Sequence, residues 1–294
     1  MPKLLTIIVT YNAMRWVDQC LGSVKASTVK SDLFIVDNGS SDGTRTYIAE
    51  HYPDAILVRS EVNLMFGRAN NLGLEFALKN GYDYVYLLNQ DAWVMPETFE
   101  MMIEIQKKHV DFGLLSPIQN SSDGYSYEKL FGHLVVEKLE NDYRERALCE
   151  VEFVQAAHWL LTRRSIEIVG GFSPSFPHYG EDENFCHRAR HYGLKIGVVP
   201  HATAVHDAAN NPLATNKQKR YRYYIHFVIA LSNVNDSRPL PNLLQFLLRR
   251  AKSLAMERKT LTPFEGYFKA LAHLYQIRRN RYLSMTQKCS FLNV

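Results

Sequence analysis

Residues 84–91 read Tyr84-Val85-Tyr86-Leu87-Leu88-Asn89-Gln90-Asp91, an apolar run that stops abruptly on two amides and an acid. Nothing polar alternates through the run, so the strand it forms is covered on both faces, as in a parallel sheet flanked by helices. Three segments of the same kind precede it: Lys3 to Thr10, Leu33 to Val36 and Ala55 to Val58. Each is followed by helical spacing. Trp16, Val17, Cys20, Leu21 and Val24 share one face, a second helix starts at Thr44, and a third runs around Ala69 to Leu78. The alternation predicts an α/β fold with a mostly parallel sheet flanked by helices. Right-handed crossovers then bring every strand-to-helix loop to one edge, where open α/β sheets bind ligands. Tyr11-Asn12, Asp37 to Gly43 and Asn89 to Asp91 are therefore expected to line one crevice.

Outward from this core, a polar connection from Asn120 to Tyr127 and a charged stretch from Glu137 to Glu152 interrupt the pattern. Apolar patterning resumes at Phe153 to Leu161 and continues through Gly170-Gly171-Phe172. A helix follows from about Glu181 to Tyr192, then short strands at Lys195 to Val199 and Ala202 to Val205. The 294 residues, 46% hydrophobic and 22% charged, suffice for one large domain with an appendage. The formal charge of +4 is unevenly spread. From Lys217 to Val294 there are 15 Lys or Arg against 3 Asp or Glu, a net of +12, which leaves −8 for residues 1–216. Residues 211–294 thus read as a basic helical extension, with an amphipathic helix near Pro241 to Ala255. A basic helix of that kind either packs on the main domain or meets anionic lipid. Lys217 to Tyr224 interleaves cations and aromatics, but no nucleic-acid-binding fold accompanies it and no nucleic-acid partner is expected.

The first apolar run is short and has no small-residue cleavage site after it, and no stretch reaches the roughly 20 residues that span a bilayer. A cytoplasmic location is expected, at most peripheral to the inner face of the membrane. Cys20, Cys149, Cys186 and Cys289 lack Cys-x-x-Cys spacing, so neither a zinc site nor a disulfide framework is indicated.

At a strand's C-terminal end, Asn89 and Asp91 point to the same side, so one can meet a hard cation while the other meets a ribose or a water. The alternative is a turn whose acid caps a helix starting near Pro96. Asp37 stands where an acceptor could take a base N–H, whereas Asp42 caps the helix from Thr44. Gly67 and Arg68 open a helix and suit a phosphate; close packing of Gly67 and Ala69 is the plainer explanation. Glu181, Asp182 and Glu183 start a helix whose dipole stabilises them, unless one of them takes a proton from a substrate hydroxyl. His206 closes a strand and offers nitrogen to a borderline cation such as Mn²⁺. His158 and Trp159 either line a substrate site or sit in the core.

Together, Ile8-Val9-Thr10-Tyr11-Asn12, Val36 to Thr44, Asn63 to Gly73, Leu87 to Asp91, Gly170-Gly171-Phe172 and Tyr179-Gly180-Glu181-Asp182 resemble the family 2 inverting glycosyltransferases of GT-A fold, particularly their rhamnosyltransferase-like bacterial branch. The resemblance covers about residues 3–207. It implies a Rossmann-like catalytic domain over residues 1–210, with a nucleotide-binding part to about 118 and an acceptor-binding part from about 119. Thr10, Tyr11 and Asn12 would border the nucleotide, Asp37 would read the base, and Asn71 would lie along the sugar-diphosphate path with Gly67, Arg68, Asn89 and Gln90. Asp91 looks like the metal-binding acid, with His206 as a second ligand to Mg²⁺ or Mn²⁺. Asp182 is similar to the family's general base, and His158, Trp159 and Glu181 would face the acceptor.

Two departures stand out. The first acid of the family's Asp-x-Asp pattern is Asn89 here, and Ala208-Ala209 replaces the His and glycines of many relatives. The implied reaction moves a sugar from a UDP-, dTDP- or GDP-linked donor to a glycan or lipid-linked hydroxyl with inversion, in bacterial surface-polysaccharide synthesis. A sugar-phosphate nucleotidyltransferase would need a basic, Gly-rich phosphate loop after the first strand, where Thr10-Tyr11-Asn12-Ala13 stands. A non-catalytic nucleotide-sugar-binding protein would have no use for both Asp91 and Asp182.

Overall fold

The computed structural model describes residues 2–208 and 215–292. The chain opens with β1 (Leu4–Thr10), α1 (Val17–Lys25), β2 (Asp32–Asp37), α2 (Thr44–His51), β3 (Ile56–Arg59), α3 (Met65–Lys79) and β4 (Tyr84–Asn89). It continues with β5 (Ala92–Val94), α4 (Thr98–Lys108), β6 (Phe112–Asn120), α5 (Lys129–Leu134), β7 (Cys149–Val151), β8 (His158–Thr162), α6 (Arg163–Val169), α7 (Glu181–His191) and β9 (Lys195–His206). Beyond them lie α8 (Asn216–Ser232), α9 (Leu240–Arg258), α10 (Thr262–Ala272) and α11 (Leu274–Thr286).

One sheet runs β3-β2-β1-β4-β8-β6-β9-β5, with β7 added on β9. The four strands anticipated from unbroken apolar runs pair in parallel, as expected. The second half is mixed: β8 lies antiparallel between β4 and β6, and β9 is parallel to β6 but antiparallel to β5 and β7. The two short final strands expected near 195–205 are one strand, because a bulge lets Pro117 and Ile118 pair with Val199 and Thr203 and loops out the residues between. Alternate β1 side chains enter opposite layers: Leu5 and Ile7 pack under α3 and α7, Leu4 and Ile8 under α1 and α4.

The extension has an apolar centre of its own, built from Phe227, Val228 and Leu231 of α8, Leu243, Leu247 and Ala251 of α9, and Tyr267 of α10. The apolar stripe of the expected amphipathic helix is thus turned inward, and three further helices accompany it. No helix among the described residues is long and apolar enough to cross a membrane.

The end of the chain returns to the sheet. Gly171 donates its N–H to the Ser290 carbonyl at 2.8 Å, and the Tyr192 hydroxyl donates to the Ser284 carbonyl at 2.5 Å. Asn71 completes the joint. Its amide nitrogen donates to the Phe172 and Phe291 carbonyls at 3.0 and 2.9 Å, and its oxygen accepts the Phe172 N–H at 2.7 Å. The Gly170-Gly171 pair is a consequence. Gly170 holds φ +84°, and a Cβ there would lie 2.1 Å from the Ser290 oxygen; one on Gly171 would lie 2.5 Å from Asn71 Oδ1.

Both amide hydrogens of Asn71 are used in joining α3 to two loops, which leaves none for the diphosphate it was expected to contact. Asn71→Ala strands buried Phe172 and Phe291 backbone groups. It is expected to cost about 3 kcal/mol, seen as a lower denaturant midpoint at unchanged m-value, with nucleotide affinity unaltered.

Candidate active site

The loops after β1, β2 and β4 bind one another before they bind anything else. Asn12, at φ 51°, donates its N–H to Ser40 Oγ at 2.9 Å and accepts the Ser41 N–H at 2.9 Å. Ala13 N–H meets Thr44 Oγ1 at 2.9 Å, and Asp42 accepts both Met14 N–H and the first helical N–H, that of Thr44, each at 3.1 Å. On the other side of β1, Gln90 accepts the Tyr11 N–H at 2.7 Å and donates to its carbonyl at 3.3 Å. Three segments that sequence placed on one edge are therefore one hydrogen-bonded rim.

Asp37 anchors the rim from below. Its carboxylate accepts from Thr10 Oγ1 at 2.9 Å, from Gly39 and Ser40 N–H at 3.2 and 3.0 Å, from the Ser40 hydroxyl and from Arg45 Nε. Burial raises the Asp37 carboxyl, but Arg45, Ser40 and Thr10 outweigh it and hold it below the usual aspartate range. The side chain is 0% exposed, so the expectation that it reads a base gives way to a role in shaping the loop. Arg45, which the sequence reading missed, also reaches the Ser60 carbonyl and Glu61.

Above the rim, a cleft of about 300 Å³ is lined by Tyr11, Asn38, Met65, Asn89, Asp91 and His178. A neighbouring hollow of about 390 Å³ shares Asn63 and Met65 with it and exposes Arg68. Gly67 faces neither. A Cβ there would sit 3.0 Å from the Phe172 Cβ, so it serves helix packing, and its expected phosphate contact is not supported. Met65 and Tyr179 flank the cleft with φ of 64° and 63°, strained values for residues bearing a Cβ.

Asp91 and His206, 115 positions apart, are brought together by the β5–β9 ladder, in which Ala92 faces His206. His206 Nε2 lies 3.6 Å from Asp91 Oδ1, while its buried Nδ1 has no hydrogen-bond partner. Asp207, unanticipated, accepts the Trp16 indole N–H at 2.9 Å and gives its own N–H to the Asp91 carbonyl at 2.8 Å. No cluster of three or more candidate ligands occurs among the described residues. One carboxylate and one imidazole side by side suit a divalent ion whose remaining positions are filled by phosphate oxygens and water.

A bridge through two alanines connects this turn to the acidic helix start. The Ala157 carbonyl accepts the Asn89 N–H at 3.1 Å. The preceding Ala156 N–H helps hold down the Asp182 carboxyl, which burial otherwise pushes up to about 6. Glu183, raised by burial and by Asp182, stands at about 7, and burial together with Asp182 pushes Glu181 up to about 8. Crowded carboxylates cannot all ionise, and Asp182 is the one that loses its proton first. Arg188, also missed, fixes the helix from inside. Its guanidinium is fully buried and donates to Asn184 Oδ1 at 3.0 Å and to the Val169 and Gly171 carbonyls at 2.7 Å.

His158 and Trp159 are corrected by burial. His158 lies between the Tyr86 hydroxyl and the Val205 carbonyl, 3.0 Å from each, and burial pushes it down to about 3. Trp159 donates to the Val154 carbonyl at 3.2 Å and packs on Phe172 and Phe185. Neither has surface to offer an acceptor. Glu181 is also buried, but its Oε2 has no partner.

A mixed α/β sheet with a cleft at its loop edge and a cluster of raised carboxylates beside it defines a group-transfer enzyme. The model of glycosyl transferase family 2 matches residues 6–170, and the chain belongs to that family; it is a nucleotide-sugar-dependent glycosyltransferase. The N-acetylglucosaminyl-diphospho-decaprenol L-rhamnosyltransferase of Mycobacterium tuberculosis is 25% identical over 233 residues, 70% of this chain and 76% of that one. The O-antigen chain rhamnosyltransferase WbaN of Salmonella anatum is 28% identical over 239 residues, 76% of this chain and 71% of its own.

Among solved structures, S. aureus TarS 1-349 in complex with UDP-GlcNAc superposes with a TM-score of 0.60 at 16% identity, over 96% of this chain and 87% of that one. The longer TarS chain is covered to 42%. The mannosyltransferase PcManGT from Pyrobaculum calidifontis, in complex with GDP-Man and Mn2+, superposes with a TM-score of 0.56 at 16% identity, over 93% of this chain and 87% of its own.

Arg45→Met removes the main counter-charge of a fully buried carboxylate. A loss of stability near neutral pH is expected. The gap to the parent should narrow as pH falls below 3.8 and Asp37 protonates, which denaturant titration across pH 3 to 7 would read.

Proposed function

We propose that the chain transfers a sugar from a nucleoside-diphosphate donor to a hydroxyl of a lipid-linked glycan, by a single inverting displacement at the inner face of the cell membrane. The observation that carries this reading is the two-alanine bridge, which ties the carboxylate that ionises first to the end of the strand bearing the Asn89-Gln90-Asp91 turn. The lipid-linked class of acceptor is suggested by the names of the mycobacterial rhamnosyltransferase and of a Micrococcus luteus relative, an undecaprenyl-phosphate mannosyltransferase, 29% identical over 105 residues.

In this scheme Thr10, Tyr11, Asn12 and Asn38 border the nucleoside, and the exposed Arg68 meets the diphosphate. Asp91 and His206 would hold Mg²⁺ or Mn²⁺, which when bound offsets charge developing on the departing diphosphate. Asp182 takes the proton of the acceptor hydroxyl as its oxygen forms the new bond to the anomeric carbon. The old carbon–oxygen bond breaks with its electron pair leaving on the diphosphate. A carboxylate raised to about 6 is a better base than an ordinary aspartate and is still ionised at neutral pH. Glu181, raised further, stays largely protonated there.

Two outcomes test the scheme, with incorporation of label from a panel of UDP-, dTDP- and GDP-sugars as the assay. Asp182→Asn should bind donor normally yet lose about 10² or more in kcat, and the parent's kcat should rise with pH through about 6; near-normal turnover in the variant would remove Asp182 from this role. Asp91→Asn should raise the Mn²⁺ concentration needed for half-maximal activity while leaving the melting temperature in EDTA unchanged. An unaltered metal requirement would move the ion elsewhere.

A further inference from the structure

A further hollow lies away from the sheet edge. A cleft of about 770 Å³ opens between α8, α9 and the start of α10, lined by Lys219, Arg222, Arg250 and Arg258 together with the hydroxyls of Thr260 and Thr262. Its charge is only partly compensated. Three acids occur from residue 217 onward: Asp236 pairs with Arg238, Glu257 with Arg258 of the cleft wall at 3.2 Å, and Glu265 lies 3.9 Å from Arg220, which also lines the cleft. Among the described residues, Lys219, Arg222 and Arg250 have no carboxylate partner within ion-pair distance. On the same wall, His226 is held below the ordinary histidine range by burial and by Arg250. Cations in excess of acids, gathered with hydroxyl donors around a hollow, are the donor set that tetrahedral phosphate oxygens accept from.

The cleft also adjoins the acidic helix start. The Arg222 guanidinium, on its wall, stacks over the Tyr179 ring at 5.0 Å, and Tyr179 is followed directly by Gly180-Glu181-Asp182. Gly180 is pressed so closely on α8 that a Cβ there would come within 2.9 Å of both Ile225 and Ile229.

We infer that this cleft receives the phosphate or diphosphate of the acceptor, the group that joins its glycan to the lipid carrier, while the glycan's hydroxyl reaches Asp182. The inference rests on the function proposed above and adds a binding site to it. The sheet-edge cleft then serves the donor diphosphate and the helical cleft the acceptor phosphate.

The test is calorimetric titration of inorganic pyrophosphate into the full chain in EDTA, which removes the metal that would draw pyrophosphate to Asp91. Binding is expected in the parent, weakened by at least about tenfold in the Arg250→Gln, Arg258→Gln double variant and to a lesser degree in Lys219→Gln, whose exposed helical position tolerates the change. Thermal melting confirms that each variant folds. No binding by the parent, or equal affinity in all three proteins, overturns the site. Sedimentation with vesicles of phosphatidylglycerol in phosphatidylcholine separates the sources of phosphate. Binding to vesicles that depends on Arg250 and Arg258, and that pyrophosphate does not compete away, would assign the cleft to membrane headgroups and overturn the acceptor assignment. Nucleoside-diphosphate binding with Mn²⁺ that persists in the Arg250→Gln, Arg258→Gln variant reports on the donor cleft, so failure of the donor scheme is read independently.

Discussion

Everything at the site hangs from the two edges of β4. On one edge it is parallel to β1, from Leu4 against Tyr84 to Val9 against Asn89; on the other it is antiparallel to β8, ending with Leu88 against His158. Backbone ladders leave no freedom in register once both edges are paired. The parallel edge delivers Thr10 to Asn12 to the end of β4, where Gln90 clasps Tyr11. The antiparallel edge delivers Ala156 and Ala157, and with them the acids of α7. A parallel neighbour on the β8 side would have started at the opposite end of the strand. The reversal of direction at β8 is what sets the acids beside the rim.

Buried carboxylates are used in two opposite ways around this strand. Asp37 is surrounded by donors and kept charged, so it acts as a fixed internal counter-charge for Arg45 and for the N–H groups of its loop. Glu181, Asp182 and Glu183 have few donors and one another for company, so their protons are held past the ordinary range. The first arrangement gives rigidity and the second gives proton affinity. The difference lies in how many N–H and guanidinium groups point at each oxygen.

The parallel half of the fold was legible because four unbroken apolar runs can only be strands with both faces covered, and the loop positions followed from crossover handedness. The second half was less so. Phe112 to Asn120 contains Gly113, Ser116, Pro117 and Gln119 and carries no clean periodicity, yet it forms a long strand because β8 and β9 pair along its edges. Asp91 and His206 were singled out by residue type and position at strand ends, and they lie side by side. Arg45, Arg188 and Asp207 did not, since their roles depend on which carbonyls and carboxylates the fold brings within reach. Asp37, Asn71, His158 and Trp159 show the converse error: residues that look chemical in a string are absorbed by hydrogen bonds and packing once partners from distant segments arrive.

The contact between Asn71 and Phe291 spans 220 positions. Closing so long a loop is slow and must follow the local pairing of β1 to β4. During synthesis the loops after β1, β2 and β4 can form their rim early, whereas the bonds from Gly171 to Ser290 and from Asn71 to Phe291 close only after the last helix has been made. An enzyme assembled in that order completes its loop rim first and the joint at the Gly170-Gly171 pair last, so the rim exists before the two ends of the chain are fastened together.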